Sequence, residues 1–210
     1  IPKTGPVIVA INHSLATYDS ALLFAAIYKE RGRAVRPLID KLFFKVPYAA
    51  EFMQLLGSEL GTRENALKLL KGGEMLCVAP GGMRESLRPS SERYQFMWDK
   101  RKGFARISME SGAPIILAAC PKADDIYEVY PNKLTAWAYK TFKVPVFLAR
   151  GIGPTPIPRP VKLVHHLSEQ IKPPPAPKNK EEFEKVLEKY HKKILLRMKR
   201  LMADAILVRD

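Results

Sequence analysis

The feature that most restricts this chain is a recurrence of short, almost wholly apolar runs separated by longer stretches of helical character. Residues 7–11 read VIVAI, 75–79 read MLCVA and 114–119 read PIILAA. A strand with one wet face alternates apolar with polar residues. A run that does not alternate must be covered on both faces, as at the centre of a parallel sheet. Residues 34–39 form another strand candidate, and 144–148 and 161–164 two more. Residues 21–31 read as a mostly buried helix that Asp19 and Ser20 start and Gly32 ends; 65–71 and 102–111 read as helices closed by Gly72-Gly73 and Gly112. Pro47 opens and Gly57 stops another within the apolar stretch 41–56. Strand–helix–strand alternation of this kind predicts an α/β fold with a mixed, largely parallel central sheet flanked by helices.

The chain has 210 residues, 47% hydrophobic and 27% charged, enough for one domain with a core that needs no disulfide. Cys77 and Cys120 sit in apolar runs and read as buried thiols of a reducing compartment. Residues 171–177 (IKPPPAP) read as a stiff spacer. After it, Phe183, Val186, Leu187, Tyr190, Ile194, Met198, Leu201, Met202 and Ala205 recur at helical spacing, predicting a long C-terminal amphipathic helix with a basic far side. No apolar run reaches the roughly 18–20 residues of a membrane-spanning helix. The chain has neither an initiating Met nor a signal peptide and opens on a turn and a strand, so an anchor upstream of Ile1 is one expectation.

Lys and Arg number 35 against 21 Asp and Glu, a net charge of +14. Such a balance suits an anionic membrane, nucleic acid or phosphorylated ligands, or simply a well-solvated surface.

Three segments carry chemistry. In Asn12-His13-Ser14-Leu15-Ala16-Thr17-Tyr18-Asp19, a histidine follows a buried strand and a carboxylate begins a helix, at the strand end where α/β sheets bind ligands. His13 suits a general base and Asp19 a carboxylate that orients it; alternatively His13 is a loop residue and Asp19 a cap. In Ala79-Pro80-Gly81-Gly82-Met83-Arg84-Glu85-Ser86, two glycines let backbone N–H groups approach an anion and Arg84 suits a phosphate, or the pair is a plain turn. In Gly61-Thr62-Arg63-Glu64-Asn65, Arg63 is either a second anion contact or part of a helix start that Thr62 caps. Arg84, Arg88, Arg93, Lys100, Arg101, Lys102 and Arg106 interleave with Tyr94, Phe96 and Trp98, a pattern open to base stacking, a membrane interface, or a solvated loop whose aromatics enter the core. His165 and His166 continue the strand candidate and point to opposite faces; His191 reads as a surface residue. No Cys/His set has zinc spacing, and neither a Walker loop nor a Gly-x-Ser-x-Gly elbow occurs.

Taken in order, His13…Asp19, the Arg63 block and Pro80-Gly81-Gly82-Met83-Arg84-Glu85 resemble the glycerolipid acyltransferase superfamily over roughly residues 5–172. The usual form has four residues between His and Asp and a Pro-Glu-Gly-Thr-Arg block. The five-residue spacing, the Pro-Gly-Gly-x-Arg-Glu block and Arg101-Lys102-Gly103-Phe104 look like the branch related to monoacylglycerol and diacylglycerol acyltransferases. The family's fourth block would be residues 113–118, with Leu117 where a second proline is usual. The resemblance implies an acyltransferase domain over 1–172, with 173–210 as spacer and helix packed on or extending it. It implies transfer of a fatty acyl group from acyl-CoA or acyl-carrier protein to a hydroxyl of a glycerolipid or lysophospholipid. His13 would be the base, Asp19 its orienting partner, and Arg63, Gly81, Gly82, Arg84 and Glu85 the substrate contacts, with no metal or other cofactor. The altered third block makes a neutral acceptor (monoacylglycerol, diacylglycerol or a fatty alcohol) the alternative. Such an enzyme would work as a peripheral or monotopic protein on the cytoplasmic face of an anionic membrane, touching it through Leu42, Phe43 and Phe44, unless these are core; nucleic acid is not expected. The rivals are a non-catalytic basic module binding anionic lipid or nucleic acid, a hydrolase using the same His/Asp pair, and a degenerate scaffold.

Overall fold

The computed structural model describes residues 1–40, 48–131 and 148–208. Leu42, Phe43 and Phe44, the helix start at Pro47 and most of the strand candidate at 144–148 lie outside the described residues.

The apolar runs become the strands of one sheet. In chain order these are β1 (Val7–Ile11), β2 (Val35–Ile39), β3 (Glu59–Leu60), β4 (Met75–Val78) and β5 (Ile115–Ala119). A small pair follows, β6 (Glu128–Val129) and β7 (Ala149–Arg150), and then β8 (His166–Leu167). The helices are α1 (Tyr18–Arg31), α2 (Ala49–Leu55), α3 (Arg63–Lys71), α4 (Gly82–Ser86), α5 (Gly103–Ser111) and α6 (Lys180–Leu207). The main sheet runs β3-β2-β4-β1-β5-β8, parallel throughout except for β8. β1 lies at its centre, with Val7 beside Met75 of β4 and Ile8 beside Ile115 of β5, and all five of its residues are buried. The mixed, largely parallel sheet with flanking helices and a long C-terminal helix is therefore the observed architecture.

Successive strand residues point to opposite faces, so each run feeds two cores. Ile8, Ala10, Leu76, Ile115 and Leu117 meet α3, α5 and α6, together with Trp98, which has no exposed surface. Val7, Val9, Ile11, Met75, Cys77, Ile116 and Ala118 meet Leu23 and Ile27 of α1. α6 starts at an Asn179 cap, whose Oδ1 accepts the N–H groups of Glu181 and Glu182 at 2.8 and 3.1 Å. It lies against α5, with Arg106 forking onto Glu184 at 2.8 and 2.9 Å and Lys102 paired with Glu188.

Four expectations change. α1 is not mostly buried: Asp19, Leu23 and Ile27 are its buried residues, while Leu22 is 58% and Tyr28 63% exposed. Its sequence is apolar all round, which hides which side a sheet will cover. No regular strand forms over 161–164; the antiparallel strand is β8, two residues later. His191 is buried against Phe104, their ring centroids 5.9 Å apart, not on the surface. The segment 80–98 is not all loop: α4 and a 3-10 turn at Ser90–Glu92 lie within it, and of its aromatics Trp98 is buried and Tyr94 and Phe96 partly so.

Candidate active site

Because β1, β4 and β5 are parallel neighbours, their carboxyl ends bring together three segments far apart in sequence. Asn12 fastens the end of β1 to the end of β5: its Nδ2 donates to the Cys120 carbonyl at 3.2 Å, and its Oδ1 accepts the Cys120 N–H at 2.9 Å. His13 follows. Its backbone N–H donates to Glu85 Oε1 at 2.8 Å, and its carbonyl accepts from Arg88 at 3.0 Å. The peptide groups on both sides of the histidine are thus gripped from the β4 side.

That grip is a buried ionic network. Glu85 has no exposed surface; its Oε2 accepts the Met97 N–H at 2.8 Å, and Arg88 lies 3.8 Å from Oε1. Arg88 also bonds the Glu85 carbonyl at 3.0 Å and pairs with Asp124, which accepts the Tyr94 N–H at 3.0 Å. Burial pushes the Glu85 carboxyl upward, against the two amide bonds and Arg88, which favour its charge. Glu85, expected among the substrate contacts, is instead consumed by this scaffold. Gly81 has the same explanation. A Cβ at Gly81 would lie 2.1 Å from Glu85 Oε2, so only glycine lets the carboxylate in. Gly82 sits at φ +58 and donates its N–H to the Ala79 carbonyl at 2.9 Å, which removes that amide from service to an oxyanion.

His13 is half-buried, and its Nδ1 lies 3.0 Å from the Ser14 carbonyl. A proton on Nδ1 satisfies that carbonyl and leaves Nε2 as the basic nitrogen. Burial lowers the ring's affinity for a proton, partly offset by the Ser14 carbonyl and by Asp19. The ring is therefore neutral near neutral pH, the form a general base needs. Asp19, 1% exposed, does not meet His13 directly: its Oδ1 accepts the Ser14 hydroxyl at 2.9 Å, and Oδ2 faces His165 Nε2 at 3.5 Å. Ser14 links the pair, and the intervening chain turns through Thr17 at φ +50, a left-handed conformation uncommon for a β-branched residue.

Arg84 is exposed on α4, with no acidic partner among the described residues. Arg63 opens α3 after the Thr62 cap and pairs with Glu110 of α5 at 2.8 Å; among the described residues it has no ion pair or hydrogen bond with the His13 loop. Asn12, Ser14, Arg88, Asp124, Cys120 and His165 belong to the site although the sequence did not single them out as such. The one available signal was the Glu85–Arg88 spacing, three residues apart and so on one side of a helical turn. Among the described residues no helix is long and apolar enough to cross a membrane.

Comparison with known proteins bears on this arrangement. A family model described as Acyltransferase matches residues 1–120. The "DGAT1/2-independent enzyme synthesizing storage lipids" of Bos taurus is 30% identical over 172 residues, which are 81% of this chain and 49% of that protein. Diacylglycerol O-acyltransferase 1 of Saccharomyces cerevisiae is 29% identical over 136 residues, 58% of this chain and 32% of that one. The chain spans about half the length, or less, of these relatives. Among solved structures, the 1-acyl-sn-glycerophosphate (LPA) acyltransferase PlsC from Thermotoga maritima covers 95% of this chain and 68% of its own, with a TM-score of 0.50 and 18% identity, a likeness of fold. With more than half of its residues under the family model, this chain belongs to the acyltransferase family.

Proposed function

We propose that the chain transfers a fatty acyl group from a thioester donor, acyl-CoA or acyl-carrier protein, to the hydroxyl of a glycerolipid or lysophospholipid. The observation that carries this reading is the placement of the His13 ring, its backbone clamped on both sides and its Nδ1 turned to the Ser14 carbonyl. Nε2 takes the acceptor's hydroxyl proton as the oxygen attacks the thioester carbonyl. The tetrahedral oxyanion collapses, the C–S bond breaks, and the departing thiolate recovers the proton from His13. Ester and free thiol are the products, without a covalent enzyme intermediate. Asp19 supports the imidazolium through its charge, acting across Ser14 rather than by a direct bond. Arg84, an exposed cation on the helix that follows β4, suits a phosphate of donor or acceptor.

An apolar groove of about 470 Å³ supports a lipid substrate. Leu22, Leu23, Ala26 and Ile27 of α1 form one wall, and Leu163, Val164 and Leu167 the other. His165 also lines it and abuts Asp19, so an acyl chain lying there ends beside the catalytic pair. α2 adds exposed Phe52 and Leu55, with Tyr48 and Leu56 at its ends, and in sequence it follows Leu42, Phe43 and Phe44. With a net charge of +14, this suits peripheral contact with an anionic bilayer on its cytoplasmic side. A neutral acceptor is the second reading. The names of the two relatives, one for storage lipids and one for diacylglycerol, favour it.

The test is labelled acyl-CoA, then acyl-carrier protein, offered with lysophosphatidate, other lysophospholipids, monoacylglycerol, diacylglycerol and a long-chain alcohol in mixed micelles. Ester formed by the wild type and lost in His13→Ala supports the reading and names the acceptor. Free acid released without any acceptor identifies a hydrolase. Absence of turnover with every pair rejects catalysis in favour of a lipid-binding module.

A further inference from the structure

Behind the catalytic loop, three side chains of different chemistry converge from distant parts of the chain. Asp19 comes from the first turn of α1, Cys120 from the end of β5 and His165 from the residue before β8. One carboxylate oxygen, the thiol sulfur and one imidazole nitrogen all lie within 4.8 Å of one another. Tetrahedral zinc, with bonds of about 2.0–2.3 Å, spaces its ligand atoms about 3.3–3.8 Å apart, so shifts on the order of 1 Å complete the set. His165 Nε2 already stands 3.5 Å from Asp19 Oδ2.

Three observations make this more than proximity. His165 Nε2 is buried and has no hydrogen-bond partner, an unsatisfied nitrogen directed at a buried carboxylate. Asp19 divides its oxygens: Oδ1 is engaged by the Ser14 hydroxyl, and Oδ2 is the one facing His165. The backbone of Cys120 is fixed by two hydrogen bonds to the Asn12 amide, so its sulfur is held by a rigid frame of the kind that outer-shell partners provide around metals. His165 lines the open groove and gives an ion a path from solvent.

The geometry assigns Asp19, Cys120 and His165 as a site for a single thiophilic divalent cation of zinc's class, with three protein ligands and an open fourth position. Binding displaces the thiol proton, which burial otherwise holds tightly, the Cys120 pKa being pushed up to about 12. The cation also neutralises the carboxylate that faces the His13 loop, so its occupancy slows acyl transfer. That consequence rests on the proposed role of His13; the site itself does not.

Cobalt(II) titrated into chelator-stripped protein is the test. We expect a thiolate-to-cobalt charge-transfer band in the near ultraviolet that saturates at one ion per chain and is reversed by zinc. Cys120→Ser abolishes the band, and His165→Gln, which removes a direct ligand, weakens affinity by at least the roughly 10–100-fold that loss of an outer-shell partner costs. The midpoint for zinc inhibition, taken against each protein's own zinc-free rate, rises by a similar factor in His165→Gln. Absence of a stoichiometric band, or a band that survives in Cys120→Ser, overturns the site. Where Cys120→Ser does not fold, His165→Gln decides, and unchanged affinity there overturns it. A band without zinc inhibition in an active enzyme removes only the inhibitory role, and a band in a protein without transferase activity shows that the catalytic reading, not the site, has failed.

Discussion

The two faces of the central sheet are closed in different ways. On one, α3, α5 and α6 bury Ile8, Ala10, Leu76, Ile115 and Leu117, and the edge-on rings of Phe96, Trp98 and Phe104 fill the space beside them, 5.4 and 5.6 Å apart. On the other, among the described residues, α1 covers Val7, Val9, Ile11, Met75 and Cys77 while leaving Leu22 and Tyr28 in solvent and a groove along its side. The first face has the density of an interior, where each lost methylene is felt. The second keeps apolar surface uncovered beside Asp19, the property a lipid-handling site needs. Stability and substrate contact are therefore separable by mutation, although both draw on the same strands.

The largest effect expected is at the open end. His13→Ala should lower kcat/KM for acyl transfer by about 10²–10⁴-fold and leave the denaturant midpoint almost unchanged. An equal loss in both would mean that His13 is structural. Arg88→Met should lower both, because the same guanidinium holds the His13 carbonyl. The substitution strands Glu85 and Asp124 as buried charges, and unfolding in urea should show a loss of about 3–5 kcal/mol. On the sealed face, Ile194→Ala opens a cavity under α6 at about 2–5 kcal/mol, with transferase activity per folded molecule retained. A fall in activity there would show that the two faces are coupled.

Two smaller tests use pH and the groove. Burial lowers the pKa of both His13 and His191 from 6.5. The unfolded chain takes up these protons near 6.5 and the native state resists them. The stability that depends on neutral rings is therefore present above pH 6.5 and lost as pH falls from there toward the native values. His191→Phe should flatten that acid loss, seen as Tm against pH, and leave the rate profile alone. The acid limb of kcat/KM should fall below pH 6.5 and belong to His13. A limb above 6.5 contradicts a buried neutral base. Leu22→Ala, at a site 58% exposed, should change stability by no more than about 0.5 kcal/mol. It should nonetheless lower turnover of a long-chain donor more than that of a short-chain one; equal effects would remove the groove from substrate binding.

Much of this was legible in the residues. VIVAI, MLCV and IILAA are β1, β4 and β5, because an unbroken apolar run has only a doubly covered strand to occupy in a chain of this length. The glycine stops at Gly32 and Gly112 end α1 and α5 at φ +66 and +74. The loop bearing His13 and Asp19 emerges from the central strand, as its position in the motif implies. Glu85 was misjudged because a carboxylate beside an Arg in a Gly-rich loop looks solvent-facing, and only packing against Gly81 and Met97 shows it to be interior. His191 reads as surface because it lies outside the apolar stripe and beside Lys192 and Lys193, and only the Phe104 ring of α5 packed against it shows it to be interior.

By itself the sequence determined the alternation of elements, the central strands, the helix ends, the order of the motifs and, through them, the family. Each of these depends on neighbours within a few positions or on a pattern along the chain. The tertiary structure decided the partners. Residue 12 bonds 120, 85 holds 13, 124 pairs with 88, and 165 faces 19. Those contacts arise only when parallel strands set the carboxyl ends of distant segments side by side, and hydrogen bonds and charges act over a few ångströms of space, whatever the separation along the chain.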